Sequence, residues 1–255
     1  MATSSTQTAP AGPATVADVV ARLCAIEASA EPGDGVACFA RLYREVTEAV
    51  RAELGGEQPA RGTFVETLDV RFAGLFFQPL DTYASDPGHT PRAWLPLFAA
   101  RGRRGVAPLQ FALAGMNAHI NRDLPVALVT TAAELGVSLD DDSAEHADFE
   151  GIDALLAHVE QRIKPAYLTG WLAKVDRLVH RCARIDDVVA MWDVSRARDA
   201  AWTNGHALWR LRGEQALADA FLDVLDRTTG LAGRGLLIPA DTVLGRLARL
   251  LERTR

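Results

Sequence analysis

The sequence predicts an all-α fold, a single-domain helical bundle of about nine to eleven helices over residues 14–255. Three observations carry this. Apolar residues recur at three- and four-residue spacing through most of the chain. Capping residues, Gly and Pro punctuate those runs. No apolar–polar alternation is bracketed by hairpin turns, so no strand is expected. At 255 residues, 49% hydrophobic and 24% charged, the chain can bury a substantial core.

The elements follow in order. Residues 1–13, rich in Ser, Thr, Ala and Pro, read as a disordered tail with neither the basic start nor the apolar run of a signal peptide. Thr15 and Asp18 form a capping pair ahead of Val16, Val19, Val20, Leu23 and Ile26. Asp34 opens a helix through Phe39, Leu42, Tyr43, Val46 and Val50 that stops at Gly55-Gly56. Thr63 caps a third, carrying Phe64, Leu68, Phe72, Leu75 and Phe76, and Pro79 is expected to end it. Residues 91–100 make a shorter helix. Pro108 suits a first turn, and Pro125 ends or kinks the helix it opens. Val126 to Leu135 continues helical up to Gly136. Asp140-Asp141-Asp142-Ser143 caps a helix running to about Lys164, and Pro165 starts another to about Cys182. Asp186 to Trp209 reads as one long helix disturbed at Asn204-Gly205. Glu214–Thr228 and Pro239–Arg253 complete the set, with Gly230 to Gly235 as a loop.

Composition removes several function classes. A net charge of -6 argues against an electrostatic nucleic-acid binder. No apolar run reaches the roughly 18 residues of a membrane span. Cys24, Cys38 and Cys182 are odd in number and make no C-x-x-C pair, which fits small buried hydrophobes in a reducing cytoplasm. Apart from Lys164 and Lys174 the basic residues are Arg, and Ala is abundant, a composition typical of GC-rich bacterial genomes.

One segment departs from packing sequence. Gly115-Met116-Asn117-Ala118-His119-Ile120-Asn121-Arg122-Asp123-Leu124 sets amides, an imidazole, a guanidinium and a carboxylate inside an apolar helix, where Ala, Leu, Glu or Lys would serve packing alone. On a regular helix Leu113, Met116, Ile120 and Leu124 form the buried stripe. Asn117 and Asn121 then lie on one margin, and His119 and Asp123 on the other, one turn apart, so that Asp123 orients the imidazole. Two further constellations stand out. Ser195, Arg198, Asp199, Trp202, His206 and Trp209 share one face of the late helix, and an inward Arg198 demands a carboxylate or an anionic ligand. Asp69 and Arg71 flank the aromatic stripe at Phe72, with Asp69 a candidate partner for Arg198 or His119. Each constellation also reads as a buried polar network that ties helices together.

The acidic run Asp141-Asp142-Ser143-Ala144-Glu145 fits the D-D-x-x-E pattern of class I terpene synthases, but it begins a helix, where acids cap and favour the macrodipole, and no N-D-x-x-S-x-x-x-E partner follows. Capping is therefore its expected role, not magnesium binding. There is no H-E-x-x-H, no paired E-x-x-H, no G-x-S-x-G and no P-loop.

The segment Gly115-Met116-Asn117-Ala118-His119-Ile120-Asn121-x-Asp123-Leu124 resembles the signature of domain-of-unknown-function family fifty-nine ninety-five, helical proteins common in actinobacteria. Leu68-Asp69-x-x-Phe72-Ala73 and Ala197-Arg198-x-x-Ala201-Trp202 are similar to its flanking blocks. The resemblance implies that the three blocks belong to one site, and it supplies no activity.

The functional expectation is a cofactor-independent enzyme, of isomerase, cyclase or lyase type and acting in specialised metabolism, on a small organic molecule held between helices. His119 serves as acid/base oriented by Asp123, with Asp69 beside them. Asn117 and Asn121 bind a carbonyl or hydroxyl, Arg198 an anionic group, and Trp202, Phe72 and His206 complete the pocket. One alternative is a metal-dependent hydrolase or oxygenase with one divalent metal on His119, Asp123 and a third ligand such as His206, His180 or Asp69. The other is a non-catalytic ligand-binding or structural helical protein.

Overall fold

The computed structural model describes residues 12–53, 63–153, 155–156, 158–159 and 193–239. Residues 1–11 of the expected tail, the Gly55-Gly56 stop, the helix expected over 165–182, all but Pro239 of that expected over 239–253, His180 and Cys182 lie outside these. Among the described residues the chain is all-helical with no strand. Eight α-helices have described ends: α1 (Val16–Ser29), α2 (Gly35–Glu53), α3 (Thr63–Thr82), α4 (Leu95–Ala100), α5 (Pro108–Ala118), α6 (Leu124–Leu135), α7 (Val194–Leu211) and α8 (Gln215–Leu236). A helical stretch also begins at residue 144. Among the described residues, eight such helices are slightly fewer than the nine to eleven expected.

Local chemistry sets the ends. Thr15 Oγ1 accepts from the Asp18 N–H while the Asp18 carboxylate accepts from the Thr15 N–H, a reciprocal capping box at α1. Asp34 accepts from the N–H groups of Val36 and Ala37 at the start of α2. Ser143 Oγ accepts from the His146 N–H, so Ser143 caps the 144 stretch. Gly136, at φ 67°, ends α6 in the left-handed conformation that suits glycine.

Three expectations about breaks are corrected. α3 runs through Pro79 to Thr82, because Phe76, Phe77 and Pro79 are all buried and that burial outweighs one lost backbone bond. α7 is continuous through Asn204-Gly205: a Cβ on Gly205 would meet Leu128 Cδ1 at 3.0 Å, so the glycine permits close packing on α6 instead of breaking the helix. Gly230 to Gly235 is not a loop but the last part of α8. A Cβ on Gly230 would lie 2.5 Å from the Arg92 carbonyl oxygen, so that glycine lets α8 seat on the segment before α4.

Two apolar clusters meet around the centre of the chain. One is built on Phe39, Phe76, Trp94, Phe98 and Phe111 from α2 to α5. The other joins Phe64 and Leu68 of α3, Leu124 and Leu128 of α6, Phe149, and Ala201 and Trp202 of α7. The segment His119–Asp123 between α5 and α6 touches α3, α7 and α8 as well as its own neighbours, so it sits where these layers converge.

Candidate functional site

The convergence point is a π-helical turn, His119–Asp123. Its defining bond runs from the Leu124 N–H to the His119 carbonyl, five residues back. Pro125 supplies the cause: it has no N–H for the Asn121 carbonyl, and its ring presses on that carbonyl unless the turn widens. His119 and Asp123 are buried, at 3% and 0% exposure, and so are Leu113 and Leu124 of the expected stripe, whereas Met116 and Ile120 are only partly buried. The polar pair thus shares the core with half of the expected stripe.

Asp123 holds the centre. Its Oδ2 accepts from Trp94 Nε1 at 2.9 Å and from His119 Nδ1 at 3.3 Å, and its Oδ1 accepts from Arg122 Nη1 at 2.8 Å. A carboxylate only accepts, so the His119 proton resides on Nδ1 and the Nε2 lone pair is left free. That Nε2 is buried with no hydrogen-bond partner. Burial pushes the His119 pKa down, against the opposing pull of Asp123, so the ring is neutral at pH 7.

The imidazole lies in an aromatic box. Phe72 stacks flat on it, with centroids 3.5 Å apart and planes at 6°. Tyr43 approaches edge-on at 4.9 Å, with Phe39 at 5.7 Å and Trp94 at 5.9 Å. Phe72 and Tyr43 also line a cavity of about 100 Å³ with Asp69, Arg198, Arg51, Thr47, Val16, Val19, Val50, Ile152 and Leu156. The Tyr43 phenol is pushed far up by burial and by the charges of Asp69 and Asp123, so it stays protonated. Sequence reasoning missed Tyr43. Its place in the apolar periodicity of α2 reads as ordinary core, and only the convergence of α2 and α3 on His119 reveals it.

The other expected residues do not all converge here. Asn117 Nδ2 donates to the Thr229 carbonyl at 2.9 Å, and Asn121 Nδ2 to Asn117 Oδ1 at 3.1 Å, so the amide pair ties the turn to α8. Arg198 is paired with Asp153, not Asp69, and its guanidinium lies 4.2 Å over the Phe149 ring. Burial pushes the Asp153 carboxyl up even against the pull of Arg198. Trp202 Nε1 donates to Asp141 Oδ1 at 3.1 Å, and the Trp202 ring stacks on His146 at 4.4 Å. His206 Nδ1 lies 3.5 Å from the same Asp141 oxygen. The acidic run therefore anchors α7, and its hydrogen bond from Trp202 holds the Asp141 carboxyl below its ordinary value. The signature and α7 do touch, yet their polar residues form three separate clusters. His119, Asp123 and Phe72 form one, with Asp69 and Arg198 on the adjoining cavity; the amides form the second; Trp202 and His206 form the third.

Among the described residues, no three or more His, Cys, Asp or Glu side chains are grouped to hold a metal ion. No helix there is long and apolar enough to cross a membrane. No curated protein and no solved structure matches the chain. A family model does, over residues 16–239, and by it this chain belongs to the family of unknown function DUF5995.

Proposed function

We propose that the protein is a cofactor-independent enzyme that moves a proton within a small organic molecule, in the manner of an isomerase, cyclase or lyase. The single observation that supports it is the His119 imidazole: Nδ1 fixed by Asp123, Nε2 buried and unpaired. An unsatisfied buried acceptor costs about 1–3 kcal/mol, and a lone pair held ready for a substrate proton gives that cost a purpose. The substrate sits in the cavity beyond Phe72 and Tyr43, which border both it and the imidazole. Rotation of Phe72 joins the two spaces. A C–H or O–H proton passes to Nε2, Asp123 stabilises the imidazolium, and the proton returns to another atom of the same molecule or, in a lyase, to the group expelled as the new double bond forms. The protonated Tyr43 phenol donates a hydrogen bond to the oxygen on which charge develops. Asp69 lies on the cavity wall, where it orients polar groups of the substrate, and Arg198, held by Asp153, completes that wall.

The protein ties made by Asn117, Asn121 and Trp202 favour a second reading, a non-catalytic ligand-binding or structural protein whose polar residues tie helices together. One experiment separates the two. A bacterial metabolite extract in D2O is incubated with wild type or His119→Asn and followed by untargeted mass spectrometry. The enzyme reading expects at least one metabolite to gain deuterium or rearrange with wild type only. No wild-type-dependent change, or equal change with the variant, contradicts it.

A further inference from the structure

Two carboxylates share one guanidinium beside the imidazole. Arg122 Nη1 donates to Asp123 Oδ1 at 2.8 Å. Arg122 Nε lies 3.6 Å from Asp226 Oδ1 of α8, an ion-pair contact looser than a hydrogen bond. Side chains of adjacent helical residues do not face each other, so Arg122 reaches Asp123 only by folding back on its own turn. Its side chain is 15% exposed and that of Asp226 16%. Asp226 is itself fixed. Its Oδ2 accepts from the Arg92 N–H at 2.8 Å and its Oδ1 from the Ala93 N–H at 3.0 Å. The next residue, Trp94, donates its indole N–H to Asp123 Oδ2, the oxygen that also faces His119. The consecutive residues 92–94 thus hold both carboxylates, and α8 brings a charge to the imidazole as well as packing.

The bonded set has a definite sum. Asp123 and Asp226 are negative and Arg122 is positive, which leaves one net negative charge. Tyr43 stays protonated, Arg198 is paired with Asp153, and Asp69 lies on the cavity wall. Without Asp226, Arg122 and Asp123 would form a neutral pair, and a buried imidazolium beside it would lack a counter-ion. Resting on the proton-transfer reading above, we propose that Arg122 and Asp226 are positioning residues for His119. The guanidinium aims Asp123 by holding Oδ1, so that Oδ2 faces the ring. Asp226 draws off enough of that guanidinium for Asp123 to remain the anion that balances the imidazolium. Neither residue touches the substrate; both act through Asp123.

The Nδ1–H resonance of His119, observed at pH 7 in the ¹⁵N-labelled full chain, tests this without any turnover, so the proposal and the enzyme reading can fail separately. A stronger acceptor draws that proton downfield. Arg122→Gln removes the cation and is expected to move it downfield. Asp226→Asn removes the competing anion and is expected to move it upfield, and Asp226→Glu, which keeps the charge, is expected to return it toward the wild-type position. Loosened packing alone gives no reason for opposite signs, so displacements of the same sign, or none in either variant, overturn the proposal. The wild type gives a second reading should a variant lose its helical circular dichroism. Its buried Arg122 Nε–H is expected to exchange slowly with water, and exchange as fast as that of an exposed arginine overturns the proposal.

Discussion

His119 and Arg198 show how far one residue can be read from sequence. The pairing of His119 with Asp123 follows from a four-residue separation on a helix, and the structure contains it. The anion beside Arg198 does not follow. Asp69 and Asp153 are both acids on apolar helices, and only tertiary packing selects Asp153. Two predictions belong to this scale. Asp123→Asn leaves the Arg122 guanidinium only the more distant Asp226, at 3.6 Å, and weakens the Trp94 and His119 bonds, and is expected to cost about 3 kcal/mol in urea denaturation, as for a broken buried charge network. Arg198→Met is expected to cost on the order of 3 kcal/mol at pH 7. The loss shrinks as the pH falls, because the stranded Asp153, already pushed up by burial, takes a proton. A melting temperature for Arg198→Met unchanged at pH 7 would instead assign that guanidinium to a ligand.

At the scale of the element, periodicity and caps made most helices legible, since Thr15, Asp34 and Ser143 act where their side chains suggest. The π turn was not legible, because a regular helical wheel cannot contain it. Pro125 is its only sequence signal, and proline signals a stop, a kink or a widened turn alike. Glycine was equally ambiguous: Gly136 does end a helix, whereas Gly230 is packed within one. That difference yields a rank order. Gly230→Ala is expected to lose about 1–3 kcal/mol or more, because the backbone of Arg92 cannot move aside cheaply. Gly235→Ala, with nothing within 4 Å of its Cβ, is expected to be neutral or to gain up to about 0.5–1 kcal/mol from helix propensity. Thermal denaturation of both variants checks the order, and an equal loss in the two contradicts the close-packing account of α8.

Across the whole molecule, the two apolar clusters close around one neutral imidazole, and this couples stability to pH. Unfolded, His119 titrates near its ordinary 6.5; folded, its pKa is lower. Between those values the unfolded chain binds a proton that the folded chain does not, so stability rises with pH by up to about 1.4 kcal/mol per unit. The contribution is fully present above 6.5 and is lost as the pH falls toward the folded value. Urea denaturation between pH 5 and 7 is expected to give a flatter stability profile for His119→Gln than for wild type, and identical slopes contradict the coupling. The central claim is the state of that ring, and long-range ¹H–¹⁵N correlation of the histidine side chains at pH 7 reads it most directly. The account predicts that His119 is neutral, with its proton on Nδ1 and a free Nε2; a charged ring, or a proton on Nε2, contradicts it.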